Sequence, residues 1–392
     1  MTYLFEILKL SGDSFTKEVW EIVFKRVIFP IFEDLKPDEN GHTKESNEDM
    51  QVWMSTTLIQ ALRELIDLVT HFFLQLDFIV DEVLEFLVIS CIQENEALAR
   101  IGSDCISQLI LKNVANFNDN MWTRFSNCLI LLLEITAPSG LYFEAEENKE
   151  QDCLSLTPFG KPYAKKPTRA DFQGIITKCV LHLLVIETCY DIFNQSYVFK
   201  TLPAREMFKV GDALYESYVF AKCFNEDLPL RTELHRLGFM KQLPNLLKQE
   251  TSSAISYLII ISHMFNDNER KLVHSKVESK LIPFMYDILG YNAQLDPVTQ
   301  KRNINAWAPV ILIIATKFVG FPAESFKKHI GYFYPHFNAL LLLPISVELQ
   351  TALFKIFKVV GDVFGISAQA PVWDKTVTNA SLDSVYEDEV EI

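Results

Sequence analysis

The feature of the sequence that most restricts its fold is a recurring stripe of apolar side chains at alternating intervals of four and three residues. Between Trp53 and Phe73 the stripe consists of Leu58, Leu62, Leu65, Val69 and Phe72. Polar residues such as Arg63 and Asp67 fall between them, on the opposite side. This spacing is typical of an α-helix that buries one face. The segment is therefore predicted to form an amphipathic helix.

The same pattern recurs along most of the chain. It predicts further helices over 15–35, 77–93, 95–114, 119–136, 172–194, 204–223, 245–265, 269–289, 297–319, 323–341 and 346–365. The connections are short and contain helix breakers, for example Asn116–Asp119 and Gly320–Pro322. Long helices with short connections form antiparallel pairs, and pairs of about 40 residues are the armadillo and HEAT size class. The predicted fold class is an all-α, armadillo/HEAT-like α-solenoid of stacked antiparallel helix pairs. A closed helical domain is the alternative, because no residue-level repeat is visible.

Segments without apolar periodicity divide the chain. Residues 37–49 form a polar insertion, and residues 137–170 begin acidic and become basic and proline-rich. The end of the chain is again irregular and acidic. Segments with few periodic apolar residues cannot bury enough surface to fold. The predicted organisation is a first helical-repeat block over 1–136, a disordered linker over 137–170, a second block over 171–367 and an irregular acidic tail over 368–392.

Charge and cysteine usage restrict the class of protein. The formal net charge is −15, from 36 basic and 51 acidic side chains. Because nucleic-acid binding depends on a basic face that displaces counterions, no nucleic-acid partner is predicted. The seven cysteines stand singly and without a CxxC pair, which favours a reducing, cytosolic compartment. No signal peptide and no run of about 20 apolar residues is found, so a soluble protein is predicted.

The sequence contains no recognisable catalytic motif. The sequence contains no HExxH, GxxxxGK[ST], GxGxxG or GxSxG pattern, and its eight histidines do not pair at metal-ligand spacing. No catalytic, cofactor-binding or metal-binding residue is therefore predicted, and no cofactor. The basic run Lys161–Arg169 could contact anionic lipid, but a soluble loop held open by prolines is the favoured interpretation.

The run Gln93–Gly102 has both a structural and a functional interpretation. Glu96 and Arg100 stand one helical turn apart, and Leu98, Ile101, Cys105 and Leu109 continue an apolar face. A tight turn between repeats with an exposed ion pair is the structural interpretation. A ridge that contacts a partner is the functional one.

At these residues the sequence resembles the large brefeldin A-inhibited Arf guanine-nucleotide exchange factors of the trans-Golgi network. The resemblance rests on Leu98–Gly102 and Gln108–Val114, which look like the region downstream of the catalytic domain in these factors. Further matching segments occur in the same order as in the family. They are Phe29–Phe32, Trp53–Thr57, Gln60–Arg63 and Pro244–Thr251. They extend over about residues 3–290. The chain is expected to correspond to a C-terminal part of such a factor, covering downstream homology modules.

This resemblance implies a function without catalysis. In the family a separate domain inserts the glutamate of a Phe-Arg-Leu-Pro-Gly-Glu motif into the GTPase, and that motif is absent here. The downstream regions help to recruit the factor to Golgi membranes, respond to Arf or Rab GTPases, restrain the catalytic domain and support dimerisation. The chain is therefore expected to be a regulatory scaffold in the cytoplasm, peripheral on trans-Golgi network membranes.

Candidate partner-binding residues lie in the run Gln93–Gly102 and in two of the segments that resemble the family, Gln108–Val114 and Pro244–Thr251. They are Glu94, Arg100, Lys112, Asn113, Asn245, Lys248, Gln249 and Glu250. The expected partners are small GTPases of the Arf and Rab classes and a second copy of the chain. A generic HEAT-type adaptor or transport scaffold that binds basic peptide segments in an acidic groove is the alternative. A third hypothesis is that the chain is itself an exchange factor and acts alone. We do not expect this chain to accelerate nucleotide release.

Overall fold

A computed structural model describes residues 2–35, 54–142, 168, 171–343 and 345–366. All regular structure in these residues is helical, in agreement with the predicted all-α class. The chain divides into two compact units, Met1–Ile314 and Ala315–Ile392. The predicted insertion at 37–49, the basic run at 161–169 apart from Thr168, and the acidic tail lie outside the described residues.

The first unit consists of a series of α-helices joined by short connections. Their bounds are α1 Thr2–Ser11, α2 Lys17–Val23, α3 Ile59–His71, α4 Val80–Cys91, α5 Glu96–Asn113, α6 Asp119–Thr136, α7 Asp171–Phe193, α8 Ala204–Glu226, α9 Leu228–Arg236, α10 Leu247–Asn266 and α11 His274–Gln294. Helix α12, Lys301–Val319, contains the boundary between the two units.

The packing of the first unit follows a regular scheme. Most of its long helices contact a sequence neighbour and also the helix two places along the chain, as α3 contacts α5, α4 contacts α6, α5 contacts α7 and α6 contacts α8. Helices that meet their next-but-one neighbours in this way form two layers that grow in series. The stacked helix pairs of an armadillo/HEAT-like solenoid, predicted from the apolar stripes, are thus confirmed.

Local capping explains where several helices begin. The side chain of Asn95 accepts a hydrogen bond from Leu98 N at 3.1 Å, and Asn118 accepts one from Met121 N at 2.9 Å. Each bond satisfies a backbone amide that has no partner inside the helix. The predicted starts near residues 95 and 119 agree with these caps.

The predicted helix over 15–35 is interrupted. Only Lys17–Val23 is α-helical, and a π-helical turn over Phe24–Ile28 and a 3₁₀ segment over Phe29–Leu35 follow it. Pro30, which has no amide hydrogen to donate, lies in the 3₁₀ segment. Helices α1 and α9 were not predicted, since each is short.

The start of the predicted linker is part of the folded unit. Leu141 is almost fully buried, and the hydroxyl of Tyr142 donates to Phe220 O at 3.2 Å. Helices on the two sides of the linker also pack together, since α5 and α6 both contact α7. Residues 137–142 therefore do not belong to a disordered linker, and the change of composition after them is no break in the packing.

The second unit has its own aromatic core. Phe318 lies at its centre, with the rings of Phe321, Phe326, Phe333 and Phe337 at centroid distances of 4.9–5.4 Å. Helix α13, Ala323–Leu340, supplies three of these rings and contacts α14, Val347–Val363.

Candidate partner-binding groove

The first group of predicted contact residues lies at the start and end of α5. Glu94, Arg100 and Lys112 are exposed, and Arg100 forms the expected ion pair with Glu96 at 2.9 Å. Asn113 is 2% exposed, and its amide donates to Leu109 O at 2.8 Å and to Thr70 Oγ1 at 3.4 Å. Its prediction as a partner contact is wrong, because the amide joins α5 to α3 inside the unit.

The second group lies at the start of α10. Asn245 is partly buried and Lys248 is exposed. Lys248 Nζ lies 3.9 Å from Glu187 Oε1 on α7. Gln249 and Glu250 are buried, at 2% and 5% exposure. The amide of Gln249 donates to Ser217 O at 3.2 Å, so this predicted partner-binding residue makes a contact within the stack.

The segment between α9 and α10 is shaped by a glycine turn. Gly238 has a φ of +84°, Phe239 N donates to Leu234 O and Gly238 N donates to His235 O, both at 3.0 Å. This paired bonding is a Schellman motif, which ends a helix at a residue with positive φ. Leu234 and Phe239 then pack in the same apolar cluster. The motif turns the chain after Phe239 across the ends of the neighbouring helices.

Two polar side chains fix the far end of this segment. Arg231 donates from Nε to Pro244 O and from Nη1 to Asn225 O, both at 2.6 Å. Asn225 accepts from Leu246 N through Oδ1 and donates from Nδ2 to Glu250 Oε2, both at 2.7 Å. The bond to Leu246 determines which end of the amide faces Glu250.

An open groove of about 650 Å³ lies beside this segment. One wall is a face of α7 that carries Ile176, Cys179, Val180 and Leu183, spaced as neighbours on a helix surface. The segment contributes Met240 and Leu243, while α10 and α12 supply the remaining walls. Val180, Met240 and Leu243 are exposed. We name this surface the apolar groove.

A second, polar cavity of about 370 Å³ adjoins the apolar groove. Its charged residues are Lys222, Glu226, Arg231, Glu250 and Arg302. Five residues line both cavities: Gln242, Leu243, Asn245, Leu247 and Arg302. We name the second cavity the polar pocket. A group bound in the apolar groove would therefore lie next to three basic side chains.

The carboxyl of Glu250 is the perturbed group of the polar pocket. Burial raises its pKa to about 7, although the hydrogen bond from Asn225 and the charge of Lys222 act in the opposite direction. At neutral pH a large fraction of this side chain is therefore uncharged. The basic side chains of the pocket then face mainly Glu226 as a negative charge.

A chain of buried polar side chains runs behind the groove. Thr136 Oγ1 lies 2.9 Å from His182 Nδ1, His182 Nε2 lies 2.7 Å from Ser217 Oγ, and Ser217 Oγ lies 2.9 Å from Ser253 Oγ. These residues come from α6, α7, α8 and α10. Their hydrogen bonds therefore join four helices inside the core. Burial lowers the pKa of His182 to about 4, so this imidazole is neutral at physiological pH.

The described residues offer no arrangement for metal binding or thiol chemistry. They contain no group of three or more His, Cys, Asp or Glu side chains placed to hold a metal ion. Burial raises the pKa of Cys91, Cys105, Cys128, Cys179 and Cys189 to about 12. A thiol with such a pKa is a poor nucleophile near neutral pH.

The residues that form the groove wall are not among the predicted partner-binding residues. Val180, Met240 and Arg302 lie outside the sequence segments that contain the predicted partner-binding residues. A signal was present in α7, where Ile175, Ile176, Cys179 and Val180 make more than one face apolar. A helix apolar on several faces either is buried all round or leaves apolar surface exposed.

Comparison with known families and proteins gives a consistent result. A family model described as the BIG2 C-terminal domain matches residues 180–358. That range includes α8 to α13, and with them much of the apolar groove and the polar pocket. Among the residues of the chain that the structure describes, no helix is both long and apolar enough to cross a membrane.

The similar proteins carry names of one kind. The ADP-ribosylation factor guanine nucleotide-exchange factor sec72 of Schizosaccharomyces pombe is 33% identical, over 84% of this chain and 20% of its own length. SEC7 of Saccharomyces cerevisiae, which has the same description, is 29% identical over 79% of this chain and 20% of its own length. Brefeldin A-inhibited guanine nucleotide-exchange protein 1 of Homo sapiens is 27% identical over 94% of this chain and 23% of its own length. The chain thus spans about a fifth of the length of these relatives.

Proposed function

The chain is a homologue of one part of the large Arf guanine nucleotide-exchange factors, and from this premise we propose that it is a non-catalytic regulatory scaffold that binds protein partners. Its proposed role is to control where such a factor is recruited and how active it is. The apolar groove is the observation that carries the proposal. It exposes apolar side chains next to a charged cavity, on helices that are otherwise packed into the stack.

The proposed partners are small GTPases of the Arf and Rab classes and a second copy of the chain. The ADP-ribosylation factor in the names of sec72 and SEC7 supports the first class. Protein partners typically obtain most of their binding energy from a few apolar or aromatic anchors at the centre of an interface. Val180 and Met240 have the exposure and position that such anchors require. Peripheral association with trans-Golgi membranes from the cytoplasm belongs to the same proposal.

We propose no exchange activity for this chain by itself. The sequence lacks the Phe-Arg-Leu-Pro-Gly-Glu motif that carries the catalytic glutamate in the family it resembles. The five thiols whose pKa is raised to about 12 and the neutral His182 supply no alternative catalytic group. The chain would act on a catalytic domain by binding, and would not itself release nucleotide.

A HEAT-type adaptor for peptide segments is the second candidate, and the groove makes it worth testing. An adaptor for basic cargo would require an acidic lining. The polar pocket instead holds three basic side chains, Lys222, Arg231 and Arg302, against the carboxyls of Glu226 and Glu250. This charge balance disfavours a basic peptide as the occupant.

The test measures binding of the chain to Arf and Rab proteins locked in the GTP or GDP state, by biolayer interferometry. We expect at least one GTP-locked protein to bind, and Val180→Glu to weaken that binding at least tenfold. Val27→Glu is the matched control, since Val27 and Val180 are 43% and 39% exposed and Val27 lies outside the groove. An equal effect of both variants would remove the groove from the proposal.

Two further measurements separate the alternatives. Light scattering reports whether the chain dimerises, and release of fluorescent GDP from Arf reports exchange activity. Binding to no GTPase by a strictly monomeric chain would refute the scaffold proposal. Accelerated GDP release would refute the non-catalytic part of it.

A further inference from the structure

The polar pocket has an excess of basic side chains that the fold leaves without acidic partners. Arg231 donates to the backbone carbonyls of Pro244 and Asn225, and among the described residues no carboxylate pairs with it. Arg302 is exposed and likewise has no carboxylate partner in the described part of the chain. Lys222 is the exception, with its Nζ 4.0 Å from Glu226 Oε1. Two guanidinium groups are thus available at the edge of one cavity.

This excess contrasts with the rest of the molecule. The chain carries a formal net charge of −15, yet the polar pocket holds three basic groups and two carboxyls. Burial keeps the pKa of one of these carboxyls, Glu250, near 7, so near neutral pH the local charge is more positive than the count of residues implies. A positive pocket on an acidic protein attracts an anion at short range.

The neighbouring groove indicates what kind of molecule carries that anion. The two cavities share Gln242, Leu243, Asn245, Leu247 and Arg302, so one occupant can reach both. The wall of α7 presents Ile176, Cys179, Val180 and Leu183 as one strip. Such strips receive the apolar face of an amphipathic helix, whose anchors repeat at three and four residues.

We propose that the polar pocket binds the carboxylate of an Asp or Glu side chain on a helical partner segment whose apolar face occupies the apolar groove. The inference rests on the proposed function, because it uses the same groove, and it adds the chemistry of the partner. Arg302 stands at the shared edge and contacts the carboxylate, while Arg231 contributes through the part of its guanidinium that the backbone bonds leave free.

A carboxylate suits the pocket better than a phosphate group. Glu226 and Glu250 lie in the same cavity as the basic groups. A phosphate of nearly two negative charges would be repelled by the charged carboxylate of Glu226 more strongly than a carboxylate of one charge. Planar carboxylates also match the paired donors of a guanidinium.

The test is a selection of displayed peptides on the full chain. The library presents 16-residue helical peptides with a fixed apolar stripe and randomised flanking positions. We expect Asp and Glu to be enriched at one flank over Gln, Lys and Arg. A synthesised winner should bind about 10- to 100-fold more tightly than its Glu→Gln or Asp→Asn version, as for loss of a charged hydrogen bond.

Variants of the chain show whether the pocket is responsible. Arg302→Glu should abolish the preference for the acidic peptide, and Lys301→Glu should retain it. Lys301 is the matched control, because it is an exposed neighbour on α12 with the same charge and lines neither cavity. Circular dichroism establishes that both variants fold.

Several outcomes would overturn the inference. They are an absence of enriched peptides, enrichment without acidic residues, tighter binding of a phosphoserine version, and an equal loss in the two variants. If no GTPase binds but acidic peptides are selected, the proposed partner class is refuted and the acidic partner segment is retained. If a GTPase binds but no acidic peptide is selected, the scaffold proposal is retained and the carboxylate site is refuted.

Discussion

His182 Nε2 lies 2.7 Å from Ser217 Oγ, in the interior of the first unit, and so joins α7 to α8 by a buried hydrogen bond. Both side chains are part of a longer polar chain from Thr136 to Ser253. Apolar contacts alone tolerate small shifts between helices, whereas a buried hydrogen bond is lost when its partners move apart. The polar chain therefore fixes the register of four helices in the stack.

Replacing His182 by Leu should destabilise the unit and should do so in a pH-dependent way. At pH 7.5 the hydroxyls of Thr136 and Ser217 lose a buried partner, and we expect the free energy of unfolding to fall by about 2–4 kcal/mol. The pKa of His182 is about 4 in the folded chain, below the ordinary histidine value of 6.5. Between these values the unfolded chain binds a proton that the native chain does not, so the wild type loses stability as pH falls.

The variant lacks that acid-dependent loss. The difference between wild type and His182→Leu should therefore shrink on acidification from pH 7.5 to 4.5, by up to about 3 kcal/mol. Urea unfolding at several pH values measures it. His235→Leu, at an exposed position, is the control and should change little. A constant difference across this pH range would show that His182 is not buried in its neutral form.

Glu250→Gln should have the opposite pH profile. Burial raises the pKa of Glu250 from 4.5 to about 7, so in this range the native chain holds a proton that the unfolded chain releases. The wild type therefore gains stability as pH falls towards 4.5 and loses it as pH rises through 7. Glutamine keeps an acceptor for Asn225 and carries no charge.

We expect the variant to be more stable than the wild type at pH 8, by about 2–3 kcal/mol, and equal to it near pH 4. Chemical denaturation at the two pH values gives this comparison. Glu226→Gln, which alters an exposed carboxylate of the same pocket, should show no comparable gain at pH 8. A destabilised Glu250→Gln at pH 8 would contradict the assignment.

Leu65→Asp should unfold the first unit or come close to doing so. Leu65 is fully buried on α3, and Asp would remove a core side chain and leave a charge without a partner. The expected cost is about 3–5 kcal/mol. Arg63→Asp places the same side chain at an exposed position of the same helix and should cost less than about 1 kcal/mol. Thermal melts that rank the two variants in the reverse order would show that the faces of α3 are assigned wrongly.

Gly12→Ala tests the close packing beneath the first helices. An added Cβ would lie 2.6 Å from Phe72 Cζ and from Trp20 Cζ2, and both rings are buried. The rings must shift, and we expect a loss of about 1–3 kcal/mol. Gly174→Ala in α7, where no atom lies within 4 Å of the new Cβ, should instead gain about 0.5–1 kcal/mol. Calorimetry of both variants provides the comparison, and a neutral Gly12→Ala would indicate looser packing.

The long helices could be predicted from the sequence because their apolar spacing and their caps are local. Asn95 and Asn118, for example, stand at the first turn of the helices they begin. Helix α9 could not be predicted in this way, since it buries little beyond Leu234. The segment that follows it is held in place by Arg231, whose acceptor Pro244 lies 13 residues away. No period in the sequence reports such a contact.

The predicted partner-binding residues differ in their exposure. Asn245 and Lys248 line the apolar groove, and their role in partner binding stays a prediction. Gln249 is predicted as a partner contact, but its amide donates to Ser217 O on another helix, and the side chain is buried. Burial of a polar side chain depends on the partner that satisfies it. The sequence does not show which residue that partner is.

The segment between α9 and α10 is secured at its two ends by the turn at Gly238 and by the bonds of Arg231 and Asn225. Met240 and Leu243, which project from it into the groove, belong to neither end. Under the proposed function, substitutions at these two positions would alter which partner is recognised while the helices keep their packing. Related chains could diverge in specificity here at little cost to folding, in the way that antibody loops vary on a constant framework.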